Sequence, residues 1–238
     1  MNLPERIMMS VGTTSKTVAH YEGWGRVFQE LENEDLKLAS YDNTLMPLVG
    51  SVANRLILDY GAGPGVLALA LEKLGANVKV WDISQEMREK AAEKIGKHNV
   101  YFTLEEIPRD SFDDIICNLV LCINPEDEVR SIIRNIRNML KNGGSAYVGF
   151  CNPLIFNIRE TNLDYRFPTG NKYEENHEYR KIKKEGGYEI IESHRPIEWY
   201  EGVYQEAGLK LDGNFFTPEY SLAGNTIQDF VICRLKRE

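Results

Sequence analysis

Two aspartates and three closely spaced glycines are the residues of this chain best suited to chemistry. Asp59 ends a short apolar run, and Gly61, Gly63 and Gly65 follow at intervals of two before a helical pattern begins. Glycines between a strand and a helix let a ligand approach the backbone, next to helix N–H groups without internal partners. A second acid, Asp82, ends the next apolar run, where a carboxylate can accept hydrogen bonds from ribose hydroxyls. The spacing predicts a nucleotide-type ligand.

The residues around the glycines favour a cationic ligand over a pyrophosphate. A dinucleotide fingerprint would need a third glycine at position 66, and that residue is Val66. The carboxylate of Asp59 is a poor neighbour for phosphate groups and a good one for an ammonium or a sulfonium. S-adenosylmethionine carries both of these groups and no phosphate. An NAD(P)-dependent oxidoreductase is the alternative enzyme, because such enzymes place an acid similarly to Asp82.

The elements that must position these residues alternate along the chain. From residue 55 onward, short apolar runs are followed by helical patterns, which is typical of strand–helix–strand units. We predict an α/β fold, with a doubly wound, mostly parallel seven-stranded sheet, an antiparallel last strand and helices on both faces. The predicted strands cover residues 56–58, 78–81, 100–103, 114–119, 145–150, 209–215 and 230–235.

Several segments match a known family in their residues and their order. Residues 56–65 read LILDYGAGPG, residues 111–121 read SFDDIICNLVL, and residues 141–144 read KNGG. With Asp82, these segments resemble the motifs of class I (Rossmann-like) S-adenosylmethionine-dependent methyltransferases of the small-molecule type. The resemblance implies S-adenosyl-L-methionine as the cofactor and methyl transfer to an oxygen, nitrogen or carbon atom of a small molecule. A catalytically silent module that binds S-adenosylmethionine is the second alternative.

The resemblance also implies a set of cofactor-binding residues. Asp82 would hold the ribose, while Ile83 and Leu104 would flank the adenine. For Tyr21, closure over the cofactor and packing of the first helix are equal alternatives, and Met87 is also expected to pack in the core. The predicted cofactor-binding residues are Tyr21, Asp59, Gly61, Ala62, Gly63, Asp82, Ile83, Met87, Leu104, Glu105 and Asn118.

Asn118 and the net charge bear on the methyl acceptor. The resemblance implies that Asn118 faces both cofactor and substrate. The sequence after it, Leu119-Val120, differs from the Asn-Pro-Pro-Tyr pattern of enzymes that methylate amide or base nitrogens. A net charge of −8 disfavours a nucleic-acid backbone as the main partner. We expect a small-molecule acceptor and no nucleic acid.

Two segments stand outside the strand–helix alternation, one at the N-terminus and one in the second half of the chain. The second lies where similar enzymes insert a lid over the substrate, so the resemblance implies that role. The predicted parts of a single domain are an N-terminal cap at 1–40, a cofactor-binding core at 41–152, a lid insertion at 153–195, and the final helix and strands at 196–238.

Three residues of the predicted lid are candidates for catalysis, namely His177, Tyr179 and His194. A histidine with an ordinary pKa of about 6.5 can accept a proton from a hydroxyl or ammonium nucleophile. The alternative for each is a plain surface or hairpin role. A glycine pair at 186–187 predicts a two-residue hairpin turn. The resulting register pairs Lys181 with Glu192 and sets Tyr179 directly across from His194.

Composition bounds the remaining possibilities. No apolar stretch approaches the roughly 20 residues of a membrane span, and the N-terminus lacks the apolar core of a secretory signal. We therefore expect a cytoplasmic monomer or homodimer. The four cysteines sit in apolar runs without metal-ligand spacing, so we expect buried free thiols and no metal site.

Overall fold

Five α-helices and eleven strands make up the described part of the chain. This computed structural model describes residues 35–184 and 186–238, with side chains from residue 41 onward. The helices are α1 (Asp35–Val49), α2 (Val66–Lys73), α3 (Gln85–Ile95), α4 (Glu126–Met139) and α5 (Ile197–Glu206). The strands are β1 (Leu56–Tyr60), β2 (Asn77–Trp81), β3 (Phe112–Asn118), β4 (Leu140–Cys151), β5 (Asp164–Phe167), β6 (His177–Lys183), β7 (Glu189–His194), β8 (Lys210–Phe216), β9 (Tyr220–Leu222), β10 (Asn225–Ile227) and β11 (Phe230–Lys236). Short 3-10 turns lie at Lys97–Asn99, Leu104–Glu106, Leu121–Ile123 and Pro153–Ile155.

The main sheet has the order β2-β1-β3-β4-β11-β8. Strands β1 to β4 run parallel, and β11 is antiparallel to both of its neighbours. The predicted α/β fold with an antiparallel last strand is therefore confirmed. Within the described residues, no helix is long and apolar enough to cross a membrane.

The predicted strand at 100–103 is reduced to a single bridge between Val80 and Val100, so the sheet has six strands instead of seven. The cause is the side chain of Glu106. Its Oε2 accepts the backbone N–H groups of Phe102 at 2.8 Å and Thr103 at 3.3 Å. These donors are thereby removed from a strand ladder, and the chain turns away from β2.

Helices cover both faces of the sheet, as predicted. Leu45 of α1 and Leu71 of α2 belong to one core, and Ile133 of α4 belongs to the other. Successive strand residues point to opposite faces, so Ile57 packs in the first core and Leu58 in the second. Because β1 to β4 run parallel, their carboxyl ends lie at one edge of the sheet, where most of the predicted cofactor residues lie.

Residues 153–195, which we call the insert, contain a separate three-stranded antiparallel sheet in the order β5-β6-β7. The predicted register of its hairpin was wrong by two residues. His177 lies opposite His194, and Tyr179 lies opposite Glu192. The loop is longer than the predicted two-residue turn. The last backbone hydrogen bond between the strands joins Lys183 to Tyr188, and four positions lie between these two residues.

A shift of two residues keeps each side chain on its original face of the sheet. Lys181 and Glu192 therefore still meet, now as diagonal neighbours, with 2.7 Å between Nζ and Oε1. Arg195, which follows β7, donates to the carbonyl oxygens of Leu121 at 3.2 Å and Asn124 at 2.6 Å. Since residues 121–124 follow β3, these bonds hold the insert at the carboxyl edge of the main sheet.

Candidate active site

The glycine turn after β1 has the left-handed backbone that its sequence predicts. Gly61, Gly63 and Gly65 have φ values of +79°, +53° and +78°. A methyl group on Gly61 would lie 2.4 Å from Cγ2 of Val120, whereas one on Gly63 would meet no atom of the described residues within 4 Å. The turn is therefore packed against the loop after β3 at Gly61 and open to a ligand at Gly63.

Asp82 links the two turns at the ends of β1 and β2. Its side chain is 7% exposed; Oδ2 accepts the N–H of Gly63 at 2.8 Å, and Oδ1 accepts that of Ser84 at 2.9 Å. Ser84 in turn caps α3 by accepting the N–H of Met87. The Met87 side chain is 2% exposed, which agrees with the expected core packing.

Asp59 is a buried acid whose bonding capacity is not filled. It is 3% exposed, and its Oδ2 has no hydrogen-bond partner among the described residues. Burial, followed by the nearby carboxylates of Asp82 and Asp42, raises the pKa of Asp59 to about 7. A cation placed here would supply the missing partner and favour the charged form. The ammonium group of S-adenosylmethionine fits that requirement.

The other predicted cofactor residues lie around the same edge. The N–H of Ala62 donates to the carbonyl of Trp81 at 3.1 Å, which closes the glycine turn onto β2. Ile83 and Leu104 are half-buried, and Glu105 is exposed on the turn that follows the bridge to β2. Tyr21 lies outside the described residues. Of the eleven predicted residues, seven lie at the ends of β1, β2 and β3 or in the turns that follow them, Met87 lies in the first turn of α3, and Leu104 and Glu105 lie in the 3-10 turn 104–106.

Asn118 ends β3 and is held by a residue that sequence reasoning missed. The hydroxyl of Tyr41 in α1 donates to Oδ1 of Asn118 at 2.5 Å. Tyr41 is 2% exposed and shares a buried stripe with Leu45 and Val49. Two signals were available in the sequence: the four-residue spacing of that stripe, and a glycine, Gly149, inside a strand of large residues.

Tyr179 is bonded inside the insert. It is 6% exposed, and its hydroxyl donates to Oε2 of Glu192. Burial and the adjacent Glu192 carboxylate raise the pKa of Tyr179 well above its ordinary value. The phenol therefore keeps its proton and donates it in a hydrogen bond to Glu192, which links β6 to β7.

The two histidines of the insert face each other across β6 and β7, with ring centroids 4.8 Å apart. Nε2 of His194 bonds to the carbonyl of Tyr173 at 2.7 Å, and Nδ1 of His177 bonds to that of Glu175 at 2.7 Å. A carbonyl only accepts, so those nitrogens carry the protons. The other two ring nitrogens are buried and have no partner among the described residues.

His194 also lines a small cavity where the insert meets β4. The cavity has a volume of about 10 Å³, which leaves room for about one water molecule. Burial, then the charges of His177 and Arg195, lower the pKa of His194. The imidazole is therefore neutral at neutral pH, with a free lone pair on Nδ1. Besides His194, the residues lining the cavity include Cys122, Cys151, Asn152, Phe156 and Glu192.

The cysteines depart in part from the expectation. Cys117, Cys122 and Cys233 are buried free thiols as predicted, whereas Cys151 is only half-buried. The ligand atoms of Cys122, Cys151 and Glu192 lie within 4.8 Å of one another, a grouping that sequence spacing did not indicate. Lys181 bonds to this group, with its Nζ 3.4 Å from the sulfur of Cys151. An ammonium at that position competes with a metal cation.

Comparison with known proteins decides between the two kinds of enzyme. Residues 58–148 match the family model described as a methyltransferase domain. This segment is a methyltransferase domain. It spans β1 through most of β4, which includes the glycine turn, Asp82 and Asn118. The match favours S-adenosylmethionine over a nicotinamide as the cofactor and argues against the oxidoreductase alternative. No curated protein matches the chain.

Solved structures share the fold of this chain. An S-adenosylmethionine-dependent methyltransferase from Mesorhizobium loti is 15% identical, covers 83% of this chain and 98% of its own, and gives a TM-score of 0.62. The 1,6-didemethyltoxoflavin-N1-methyltransferase of Burkholderia thailandensis is 12% identical, with coverages of 98% and 93% and a TM-score of 0.61. A TehB-like methyltransferase from Corynebacterium glutamicum is 17% identical, with coverages of 92% and 99% and a TM-score of 0.59. These likenesses show the class I fold.

Gly61 and Gly63 of the glycine turn after β1 should respond differently to substitution by alanine. Gly61→Ala places a methyl 2.4 Å from Val120, so we expect a loss of about 2–4 kcal/mol in unfolding free energy. The methyl of Gly63→Ala meets no atom within 4 Å in the part of the chain that the structure describes, so this variant should lose about 1 kcal/mol of unfolding free energy, from backbone strain. Its methyl would lie on the ligand side, so affinity for S-adenosylhomocysteine should fall at least about tenfold. Urea unfolding and titration calorimetry measure both; equal stability losses would contradict the assignment.

Proposed function

We propose that this S-adenosylmethionine-dependent methyltransferase acts on a small-molecule acceptor held between the carboxyl edge of the main sheet and the insert. The observation that carries the proposal is the free, buried Nδ1 of His194 beside the end of β4. The insert is tied to the loop after β3 by Arg195, so it lies at the carboxyl edge of the main sheet, where Asn118 ends β3. The 153–195 insert is the lid in this proposal.

The cofactor would be bound by residues that already have the required chemistry. Asp59 offers an unpaired buried oxygen to a cation, and Gly63 offers open space for close approach. Asp82 holds the Gly63 turn in place, and its position at the tip of β2 suits contact with ribose hydroxyls. When bound, S-adenosylmethionine supplies an activated methyl group. The residues of the chain then need to align the acceptor, exclude water and remove a proton.

His194 is the group that we assign to proton removal. An acceptor hydroxyl or amine forms its new bond to the methyl carbon while the carbon–sulfur bond breaks, and it releases one proton. The neutral Nδ1 of His194 accepts that proton, while the Nε2–H bond to the Tyr173 carbonyl holds the ring in the required tautomer. His177 and Tyr179 support the ring and the strand that carries it.

Two observations favour a small acceptor over a macromolecule. The net charge of −8 repels nucleic-acid phosphates. The similar enzyme from Burkholderia thailandensis holds a small heterocycle, 1,6-didemethyltoxoflavin, together with S-adenosylhomocysteine. Whether the methylated atom is oxygen, nitrogen or carbon is a question for the acceptor screen.

The proposal is tested by incubating the pure protein with S-adenosylmethionine and a panel of hydroxylated and amine-bearing metabolites. Release of S-adenosylhomocysteine with a member of the panel is the expected result. Methyl transfer found only with an RNA or protein fraction would overturn the proposed acceptor class. Cofactor binding without transfer to any fraction would favour a silent binding module.

His194→Ala should lower kcat by about 10²–10⁴-fold, the usual contribution of a general base, with cofactor affinity nearly unchanged. In the wild type, kcat should fall as the pH drops through the lowered pKa of His194, and this acidic limb should vanish in the variant. Tyr179→Phe is the matched comparison, since it removes only the bond to Glu192. It should reduce turnover while keeping the acidic limb. Wild-type turnover in His194→Ala would remove this residue from the mechanism.

A further inference from the structure

Tyr41 makes a short hydrogen bond to a predicted site residue from within the core. Its hydroxyl lies 2.5 Å from Oδ1 of Asn118, and its ring packs edge-on against Phe230 at 5.4 Å. A separation of 2.5 Å suits O–H···O and is shorter than N–H···O bonds in proteins. Burial raises the pKa of Tyr41 well above 10, so the hydroxyl keeps its proton and donates. The partner on Asn118 is therefore its oxygen.

Gly149 of β4 makes this bond possible. It pairs with Asn118 across the parallel ladder, and a Cβ at this position would lie 1.6 Å from the Tyr41 hydroxyl oxygen. The carbonyl of Gly149 also accepts the N–H of Leu119 at 2.7 Å. Leu119 has a φ of +58°, which is strained for a branched side chain. Helix α1 and strand β4 thus hold the end of β3 in one conformation.

The bond determines which end of the Asn118 amide is available to a ligand. With Oδ1 engaged by Tyr41, the two N–H donors of Nδ2 are the polar groups of the amide that remain for a ligand. We propose that Tyr41 is a positioning residue that fixes the Asn118 amide, so that Asn118 donates a hydrogen bond to the bound S-adenosyl group. This inference rests on the proposed function, in which Asn118 belongs to the cofactor site. The group that meets Asn118 is then a hydrogen-bond acceptor.

A double-mutant cycle on S-adenosylhomocysteine affinity tests the proposal. Asn118→Ala should weaken binding about 3- to 10-fold, the value of one hydrogen bond. Tyr41→Phe keeps the buried ring, and it should weaken binding by a similar factor. In the Asn118→Ala background, Tyr41→Phe should have no further effect, because its influence passes through Asn118.

Tyr147→Phe is the matched control. Tyr147 lies on β4, is 3% exposed, and donates its hydroxyl to the carbonyl of Leu48 in the same helix, α1, at 3.2 Å. This variant removes a comparable bond between α1 and the sheet without touching Asn118. We expect unchanged affinity for S-adenosylhomocysteine.

A spectroscopic readout separates positioning from a general loss of stability. The side-chain amide signals of Asn118 in ¹⁵N-labelled protein should shift in Tyr41→Phe and stay in place in Tyr147→Phe, before any ligand is added. Unchanged signals in Tyr41→Phe would overturn the inference, as would equal weakening by that variant in both backgrounds. If Tyr41→Phe kept wild-type affinity for S-adenosylhomocysteine while Asn118→Ala bound it more weakly, the inference would be overturned. The assignment of Asn118 to the cofactor site would then still stand. Wild-type affinity in Asn118→Ala would instead remove Asn118 from that site.

Discussion

Asp59→Asn should make the unliganded protein more stable at pH 8 and poorer at binding its cofactor. Asp59 is buried, and its pKa is raised from 3.8 to about 7, mainly by desolvation. Asn is neutral and similar in shape, so it avoids the burial of a charge. By linkage, we expect a gain on the order of 3–4 kcal/mol in unfolding free energy at pH 8. Thermal unfolding at several pH values measures it.

The pH dependence of that gain has a definite sign. A carboxyl whose pKa is raised by folding stabilises the folded state below its unfolded pKa of 3.8, and that contribution is lost as the pH rises through about 7. The difference between Asp59→Asn and the wild type should therefore be small near pH 4, grow up to pH 7, and stay level above it. A difference independent of pH would show that Asp59 is not the group responsible.

Cofactor binding by the same variant should change in the opposite direction. A cationic ammonium pairs with the charged form of Asp59, and a charge-assisted hydrogen bond contributes about 1.5–3 kcal/mol, so affinity should fall roughly 10- to 100-fold. Below pH 7, the wild type must release a proton on binding, and Asp59→Asn must not. Calorimetry in buffers of different ionisation enthalpy detects that proton. Unaltered affinity in Asp59→Asn would move the ammonium group elsewhere.

The glycine turn and the carboxyl ends of β1 and β2 could be predicted from the sequence, because they depend on residues that are close together in the chain. The strand before Asp59, the three glycines and the helix after them are contiguous, and their conformations follow from residue type. Asp82 is separated from them by one helix and one strand, and parallel strands bring their carboxyl ends to the same edge. The observed sheet order confirms this arrangement of strands, and residues 58–148 match a methyltransferase domain, while the cofactor contacts of the individual residues stay a prediction.

Long-range pairings were the part that the sequence could not determine. The hairpin register depended on loop length, and a four-residue loop replaced the predicted two-residue turn. The strand expected at 100–103 was lost because Glu106 bonds its backbone donors. Tyr41 is 77 residues from Asn118; the helical spacing around Tyr41 and the glycine at 149 indicate close packing, but neither identifies Asn118 as the partner. Each of these outcomes depends on side chains that come together only after the sheet has formed.

The second large effect is expected from a substitution at Lys181 in the insert, because the insert buries paired charges where most domains have an apolar core. Lys181 is 1% exposed, and its Nζ lies 2.7 Å from Glu192, 3.3 Å from Asp164 and 3.4 Å from the sulfur of Cys151. Removing one partner of a buried ion pair leaves the other charge uncompensated, which costs about 3–5 kcal/mol. Lys181→Met should therefore destabilise the insert by that amount and expose it to proteases. Denaturant unfolding and limited proteolysis measure both effects.

Lys183→Met is the matched control for Lys181→Met, because Lys183 contacts the same Asp164 at 2.9 Å but is 22% exposed. Water replaces most of what that ammonium provides, so we expect a loss of about 1 kcal/mol or less. Glu192→Gln added to Lys181→Met should restore part of the stability, because it removes one of the two buried carboxylates that have lost the Lys181 ammonium. The Lys181→Met deficit should also shrink as the pH falls and those carboxylates gain protons. Equal losses in the two lysine variants would mean that the buried charges do not hold the insert together, and the lid would then depend on the bonds of Arg195 to the loop after β3.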